Sequence, residues 1–163
     1  MKHLSLLRHA KSAGKEDPRM CDHERPLAPR GERAAAAMGG QLTVPDLVLC
    51  STARRAVDTW ELAGPGLGTE VEVAFEDRLY TFDEEDLLDR VRELDDGAAT
   101  VLLVGHNPAL ELLLFDLTGE DVGKFPTAAL ATLAFDGPWR TLAAAGAQLE
   151  SFVRPRDLSV LGT

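Results

Sequence analysis

Short apolar runs alternating with segments of helical periodicity constrain this chain more than any other feature. His3–Leu7, Asp46–Cys50 and Thr100–Val104 are predominantly apolar and only a few residues long, which suits strands buried on both faces. After the first run, residues 9–28 form a long polar loop rich in proline and charge, a length that is usually functional inside a compact domain. Pro29-Arg30-Gly31-Glu32 then opens an alanine-rich helix from Arg33 to Leu42, with proline in the first turn. After the second run, Thr52 to Leu62 reads as a helix capped by Ser51 or Thr52 and stopped by Gly64-Pro65-Gly66. Glu70–Phe75 alternates as a further strand. Asp83–Leu94 places Leu87, Leu88, Val91 and Leu94 at helical spacing, with Asp83-Glu84-Glu85-Asp86 as its negative first turn. Pro108–Leu117 is the next helix, with Leu112 to Phe115 read as core. Ala129–Phe135 and Gln148–Val153 are late strands around a Gly137-Pro138 turn. This order predicts an α/β fold, a three-layer α/β/α sandwich with a mostly parallel central sheet.

The 163 residues suffice for one domain with a sizeable core and not for two ordinary ones, so a single domain over 1–163 is expected. No apolar run approaches the ~20 residues of a spanning helix, and Lys2 falls too early for a signal-peptide core, so the expected compartment is the cytoplasm. Cys21 and Cys50 lack metal or disulfide spacing, and Cys50 reads as a small buried hydrophobe. A net charge of −10 argues against nucleic acid and anionic membranes as partners. Within that acidic chain, Arg8, Lys11, Arg25, Arg30, Arg54 and Arg55 crowd into the first third, which points to a focused anion site.

In open α/β sheets ligands sit beyond the carboxyl ends of the strands. The first strand ends in Arg8-His9, the second leads through Ser51 into Arg54-Arg55, and the run at 100–104 ends in Gly105-His106-Asn107-Pro108. Two histidines and up to three arginines therefore reach one edge. Guanidinium forks match phosphate oxygens, a neutral imidazole is a competent nucleophile towards phosphorus, and a second imidazole, if protonated, stabilises charge on the equatorial oxygens. Arginines beside both histidines repel a cation, so no metal is expected. Cys50-Ser-Thr-Ala-Arg-Arg55 approaches a thiolate phosphate loop, but such a loop needs five residues between Cys and Arg and this segment has fewer. His3 reads as structural and His23 as solvated.

Four ordered motifs carry a resemblance to a family. Leu6-Leu7-Arg8-His9-Ala10-Lys11-Ser12 resembles the Arg-His signature of the histidine phosphatase (phosphoglycerate mutase-like) superfamily. Asp22-His-Glu-Arg-Pro-Leu27 with Arg30-Gly31 resembles its following "RPL…G" stretch. Ser51-Thr-Ala-Arg-Arg55-Ala-Val-Asp-Thr59 is similar to the segment with the second arginine. Val104-Gly105-His106-Asn107-Pro108 is similar to the second-histidine motif in the form typical of the SixA-like phosphohistidine phosphatase branch. The correspondence spans nearly the whole chain. It implies the phosphoglycerate mutase-like fold and a cofactor-free, metal-independent hydrolase with His9 as nucleophile, Arg8 and Arg55 as phosphate clamp and His106 completing the pocket. Arg25, Lys11, Ser12 and Asn107 become substrate-binding candidates, Asn107 being equally a helix cap, and Arg54 is placed at the rim. Many members add a carboxylic acid after the third strand; Glu76 and Asp77 are the candidates, and neither matches well. The implied substrate is phosphohistidine on a protein. A phosphomonoesterase acting on a small metabolite or phosphopeptide, and a phosphate-binding module without turnover, stay open as alternatives.

Overall fold

The computed structural model describes residues 1–158; residues 159–163 of the expected 1–163 domain lie outside the described residues. Strands β1 (Lys2–Arg8), β2 (Leu47–Ser51), β3 (Val73–Glu76), β4 (Thr100–Gly105), β5 (Leu130–Phe135) and β6 (Gln148–Val153) form one sheet in the order β3-β2-β4-β1-β5-β6. The pairs β3/β2, β2/β4 and β4/β1 are parallel, while β5 runs antiparallel to both β1 and β6. The sheet is thus mostly parallel, as the alternation required.

The helices α1 (Pro29–Met38), α2 (Arg54–Ala63), α3 (Glu84–Arg92) and α4 (Ala109–Thr118) divide between the faces. The period of two along the central strands decides which core each side chain joins. Leu4, Leu6, Leu49, Val101 and Leu103 pack with Leu87 and Val91 of α3 and Leu110, Leu113 and Leu114 of α4. Leu7, Val48, Cys50, Leu102 and Val104 face the other way, onto Ala35 and Met38 of α1 and Ala56 of α2. Burial on both faces explains why β1, β2 and β4 read as continuous apolar runs. No helix among the described residues is long and apolar enough to cross a membrane.

Several boundaries differ from the sequence reading, for local reasons. Helix α2 starts at Arg54, with Ala53 at its N-cap and no side-chain cap. Of the expected caps, the Ser51 hydroxyl pairs with His106 and accepts only the N–H of Ala53, ahead of the helix, and the Thr52 hydroxyl donates to Asp77. Helix α1 gives way to a 3-10 turn at Gly39–Gln41. Strand β3 begins at Val73 and pairs with β2 over four residues, to Glu76. Between β5 and β6 the chain makes a longer excursion than a Gly-Pro turn, burying Trp139, whose indole N–H donates to the Ala98 carbonyl at 2.7 Å. Asp83 caps α3 through the Glu85 N–H at 2.9 Å, ahead of the acidic first turn. Leu113 and Leu114 are core, but Leu112 and Phe115 are exposed. The Cys50 thiol is fully buried and burial pushes its pKa up, so it is inert.

One contact fixes α1 against the loop that follows β1. A Cβ added to Gly31 would lie 2.1 Å from the Lys11 carbonyl oxygen. Since the clash is with backbone, Gly31→Ala should destabilise the fold by about 1–3 kcal/mol, read as a lower urea midpoint at unchanged m-value.

Candidate active site

Strand register places the two imidazoles side by side. Arg8 of β1 pairs with Gly105 of β4, so the residues that follow, His9 and His106, leave neighbouring parallel strands together. Their ring centroids are 5.1 Å apart at an interplanar angle of 51°, and both rings are almost wholly buried. The His9 Nδ1 lies 2.8 Å from the Ala10 carbonyl oxygen. A carbonyl only accepts, so Nδ1 carries the proton and Nε2 keeps its lone pair. Burial, reinforced by Arg55 and Arg8, lowers the His9 pKa to about 3. His106 is lowered to about 3 as well, by burial first and then by His9 and Arg55. At neutral pH the His9 ring is therefore neutral, with its Nε2 lone pair free.

The two arginines are held in different ways. Arg8 gives one Nη1–H to the Phe125 carbonyl at 2.9 Å, which also accepts from Asn107 Nδ2 at 2.9 Å. Arg8 Nε and His106 Nδ1 are buried without a hydrogen-bond partner among the described residues. An unsatisfied buried polar group typically costs ~1–3 kcal/mol. Arg55 is buried at the start of α2, where Thr59 one turn later ties it to the residue after His9: the Thr59 hydroxyl donates to the Arg55 carbonyl at 2.6 Å and accepts from the Ala10 N–H at 2.9 Å. The Arg55 guanidinium donates to the Asp22 carbonyl at 2.8 Å and to its carboxylate at 3.0 Å, and it lies 5.9 Å from the Tyr80 ring centroid.

Four of the expected residues thus converge: Arg8, His9, Arg55 and His106. Others are placed differently. Arg25 and Ser12 bond to each other, and Arg25 also holds Ala13 and Asp22, so it braces the first loop and contributes positive potential to His9. Lys11 points to a neighbouring groove. Asn107 receives the Glu111 N–H at 3.2 Å, a capping role alongside its grip on Phe125. Arg54 is exposed and pairs with Asp58 at 3.5 Å. Glu76 is not an acid at the site: its carboxylate is gripped by Arg90 at 2.7 and 3.0 Å, across to α3. Asp77 receives the Thr52 hydroxyl at 2.6 Å and stands behind His23. His23 itself is half-buried rather than solvated, bonded to Thr52 at 2.9 Å and edge-on to Tyr80 at 4.9 Å. His3 is paired with Glu150 at 3.2 Å.

Sequence reasoning missed Asp22, Tyr80 and the site role of Ser51. Tyr80 stands edge-on to His106 at 5.4 Å and donates its hydroxyl to Asp22. That hydrogen bond, with those from Arg25 and Arg55, holds the Asp22 carboxyl below the usual carboxylate range. The i,i+3 spacing of Asp22 and Arg25 was the one available signal; nothing in the sequence marked Tyr80.

The matches to known proteins agree with this geometry. The model for the histidine phosphatase superfamily (branch 1) matches residues 4–84. Uncharacterized protein Rv1276c of Mycobacterium tuberculosis is 38% identical over 164 residues, covering 92% of this chain and 100% of that one. A structure assigned as the phosphohistidine phosphatase SixA from Nakamurella multipartitia superposes with a TM-score of 0.81 at 32% identity, covering 94% of this chain and 96% of that chain. The chain belongs to the histidine phosphatase superfamily. A second structure, assigned as SixA from Agrobacterium tumefaciens, has a TM-score of 0.79 at 29% identity over 94% of this chain and 99% of that one. These neighbours place this histidine phosphatase in the SixA-like branch, and its reaction class is that of a phosphatase, a hydrolase acting on phosphorylated substrates.

The lowered imidazole pKa values have a direct consequence. The unfolded chain takes up protons near the ordinary histidine value of 6.5, which the folded rings refuse until about 3. Stability contributed by the neutral rings is thus present above 6.5 and lost as pH falls towards 3. The urea midpoint should fall between pH 7 and pH 5, and by less in His9→Asn. Over the same interval kcat, corrected for substrate ionisation, should show no limb from His9.

Proposed function

We propose that this histidine phosphatase removes phosphoryl groups from phosphohistidine on proteins, in the cytoplasm and without a metal ion, through a covalent phospho-His9 intermediate. The observation that carries the reading is the pairing of a nucleophilic imidazole and a second imidazole with two guanidiniums, in a site whose carboxylate is already spoken for. Asp22 accepts from Arg25, Arg55 and Tyr80 and stays ionised, so it has no proton to give an alcohol leaving group. Glu76 is locked to Arg90. A phosphoramidate needs no such acid: when the other nitrogen of the substrate imidazole is protonated, the ring leaves as a neutral group.

In the first step His9 Nε2 forms a bond to phosphorus as the substrate P–N bond breaks, and the electron pair returns to the departing imidazole. Arg8 and Arg55 neutralise the equatorial oxygens. The arriving dianion favours the protonated form of His106, which then donates to the same oxygens. In the second step water attacks phospho-His9. The P–Nε2 bond breaks, the water protons leave with inorganic phosphate, and His9 returns to its neutral tautomer with Nδ1–H still on Ala10. The exposed Phe82 near His106, at 6.1 Å, provides an aromatic rim against which a substrate imidazole stacks. The names carried by the SixA neighbours support the same substrate class. Two guanidiniums at the site disfavour a dication.

The test is turnover of a phosphohistidine protein, p-nitrophenyl phosphate and a sugar phosphate, each with and without EDTA. The expected result is EDTA-insensitive hydrolysis with phosphohistidine preferred and the sugar phosphate, with its poor alkoxide leaving group, slowest. Equal or faster release from the sugar phosphate would overturn the substrate assignment. Vanadate binding without turnover of any substrate would make the chain a phosphate-binding module.

A further inference from the structure

Beyond the end of β1, past Lys11, lies a cavity that the chemistry above does not use. It measures about 610 Å³ and is lined by five cations, Lys11, Arg30, Lys124, Arg154 and Arg156, with no carboxylate among its lining residues. The chain as a whole carries a net charge of −10, so this concentration runs against the overall field. Arg154 is bound to Asp157 at 3.2 Å. Among the described residues, Lys11, Arg30, Lys124 and Arg156 have no ion-pair partner. Unpaired like charges gathered around one cavity repel each other, and an anionic occupant relieves that repulsion.

The cavity opens at the same sheet edge as the imidazoles. Strands β1 and β6 end at this edge and β5 begins there, and Lys11, Arg156 and Lys124 follow or precede those ends. Lys11 is two residues past His9. Pro126, another lining residue, directly follows Phe125, whose carbonyl holds Arg8. An extended polypeptide advances about 3.3–3.6 Å per residue, so a chain presenting a side chain to His9 reaches the groove within a few residues. The cations come from four separate segments and stand between the apolar surfaces of Ala34, Val122 and Pro126. That mixture suits carboxylate side chains spaced along a polypeptide better than a compact inorganic anion, which needs its donors to converge on one point.

We infer that this groove docks an acidic segment of the phosphorylated protein substrate, adjacent in its chain to the phosphohistidine. The inference rests on the phosphohistidine-protein reading and adds to it a recognition rule: the enzyme selects phosphohistidines that are followed or preceded by Asp and Glu.

Two synthetic peptides of equal length, each with one phosphohistidine, test it: one flanked by glutamates, one by glutamines. Phosphate release gives kcat/KM, fluorescence anisotropy of the unphosphorylated peptides gives binding, and free phosphoramidate reports the reaction centre alone. The wild type should prefer the glutamate peptide by about ten-fold or more, with the preference shrinking as salt rises. The triple variant Arg30→Glu, Lys124→Glu, Arg156→Glu should lose that preference while phosphoramidate turnover stays within about two-fold, since surface charge changes act on encounter and docking rather than on the reacting groups. If the triple variant does not fold, Lys124→Glu alone, at an exposed position, should at least halve the preference. Equal kcat/KM for the two peptides, with phosphoramidate turned over, overturns the docking inference and leaves the phosphohistidine reading standing. Salt-sensitive binding of the glutamate peptide, lost in the variant, with no turnover of any phosphoramidate, supports the groove and overturns the reading. Tripolyphosphate binding to the groove in preference to the glutamate peptide at matched ionic strength overturns the choice of an acidic polypeptide.

Discussion

His9→Ala should abolish turnover, lowering kcat by about 10⁴-fold or more, the scale seen when the nucleophile of a covalent mechanism is removed. The variant should still fold, because the His9 ring contributes one hydrogen bond, to Ala10, and its backbone contacts with Gly105 and Ala128 do not depend on the side chain. It should also keep part of its vanadate affinity, since Arg8, Arg55 and His106 remain. Rapid acid-free quenching of the wild type with substrate should trap a phosphoryl group on residue 9 that is stable to alkali and lost in acid, as a phosphoramidate is. A variant that retains more than a few per cent of wild-type kcat would assign the nucleophile elsewhere, and the second imidazole would be the next residue to examine.

Arg55→Ala should lower kcat/KM by about 10²–10³-fold, the range for losing one preorganised donor to a developing oxyanion. The loss has two sources. One guanidinium is removed from a buried anion site, and Asp22 is left facing the imidazoles with less compensation. Arg55→Lys restores charge without the planar fork and should recover only part of the activity. The double variant Arg55→Ala, Asp22→Asn separates the two sources. If the added neutralisation of Asp22 restores a tenfold or more, repulsion by the stranded carboxylate accounts for much of the defect; if it restores nothing, the lost fork does. Equal kcat/KM in Arg55→Ala and wild type would remove Arg55 from the clamp.

The apolar runs at β1, β2 and β4 were readable because strands buried on both faces have few alternatives to continuous Leu and Val. The strand ends Arg8-His9, Arg54-Arg55 and Gly105-His106 are legible because parallel strands deliver their carboxyl ends to a common edge, and the family resemblance selects Arg55 over Arg54. The helical period of α2 is legible along the chain, whereas its cap is not. Ser51 and Thr52 have the right chemistry for a cap, but their hydroxyls bond His106 and Asp77, which only the folded chain brings near, and Ser51 takes the N–H of Ala53 just ahead of the helix. Glu76 and Asp77 drew attention as acids because they follow a strand. Their real partners, Arg90 and Thr52, lie 14 and 25 residues away and are set by packing of α3 and by the β2 end. His23 looked solvated amid charges, whereas the 3-10 turn at Asp22–Glu24 presents it to Thr52 and Tyr80.

The sequence alone determined the layer architecture and the sheet edge that gathers two histidines and up to three arginines, because periodicity and strand direction are local properties written along the chain, while the family resemblance picked Arg8, His9, Arg55 and His106 from that set. Only the tertiary structure decided that Asp22 and Tyr80 enclose Arg55, that the expected acids are bound elsewhere, and that Lys11, Arg30, Lys124, Arg154 and Arg156 share one cavity. Hydrogen bonding and charge act through space over a few ångströms, between residues whose separation along the chain carries no record of their contact.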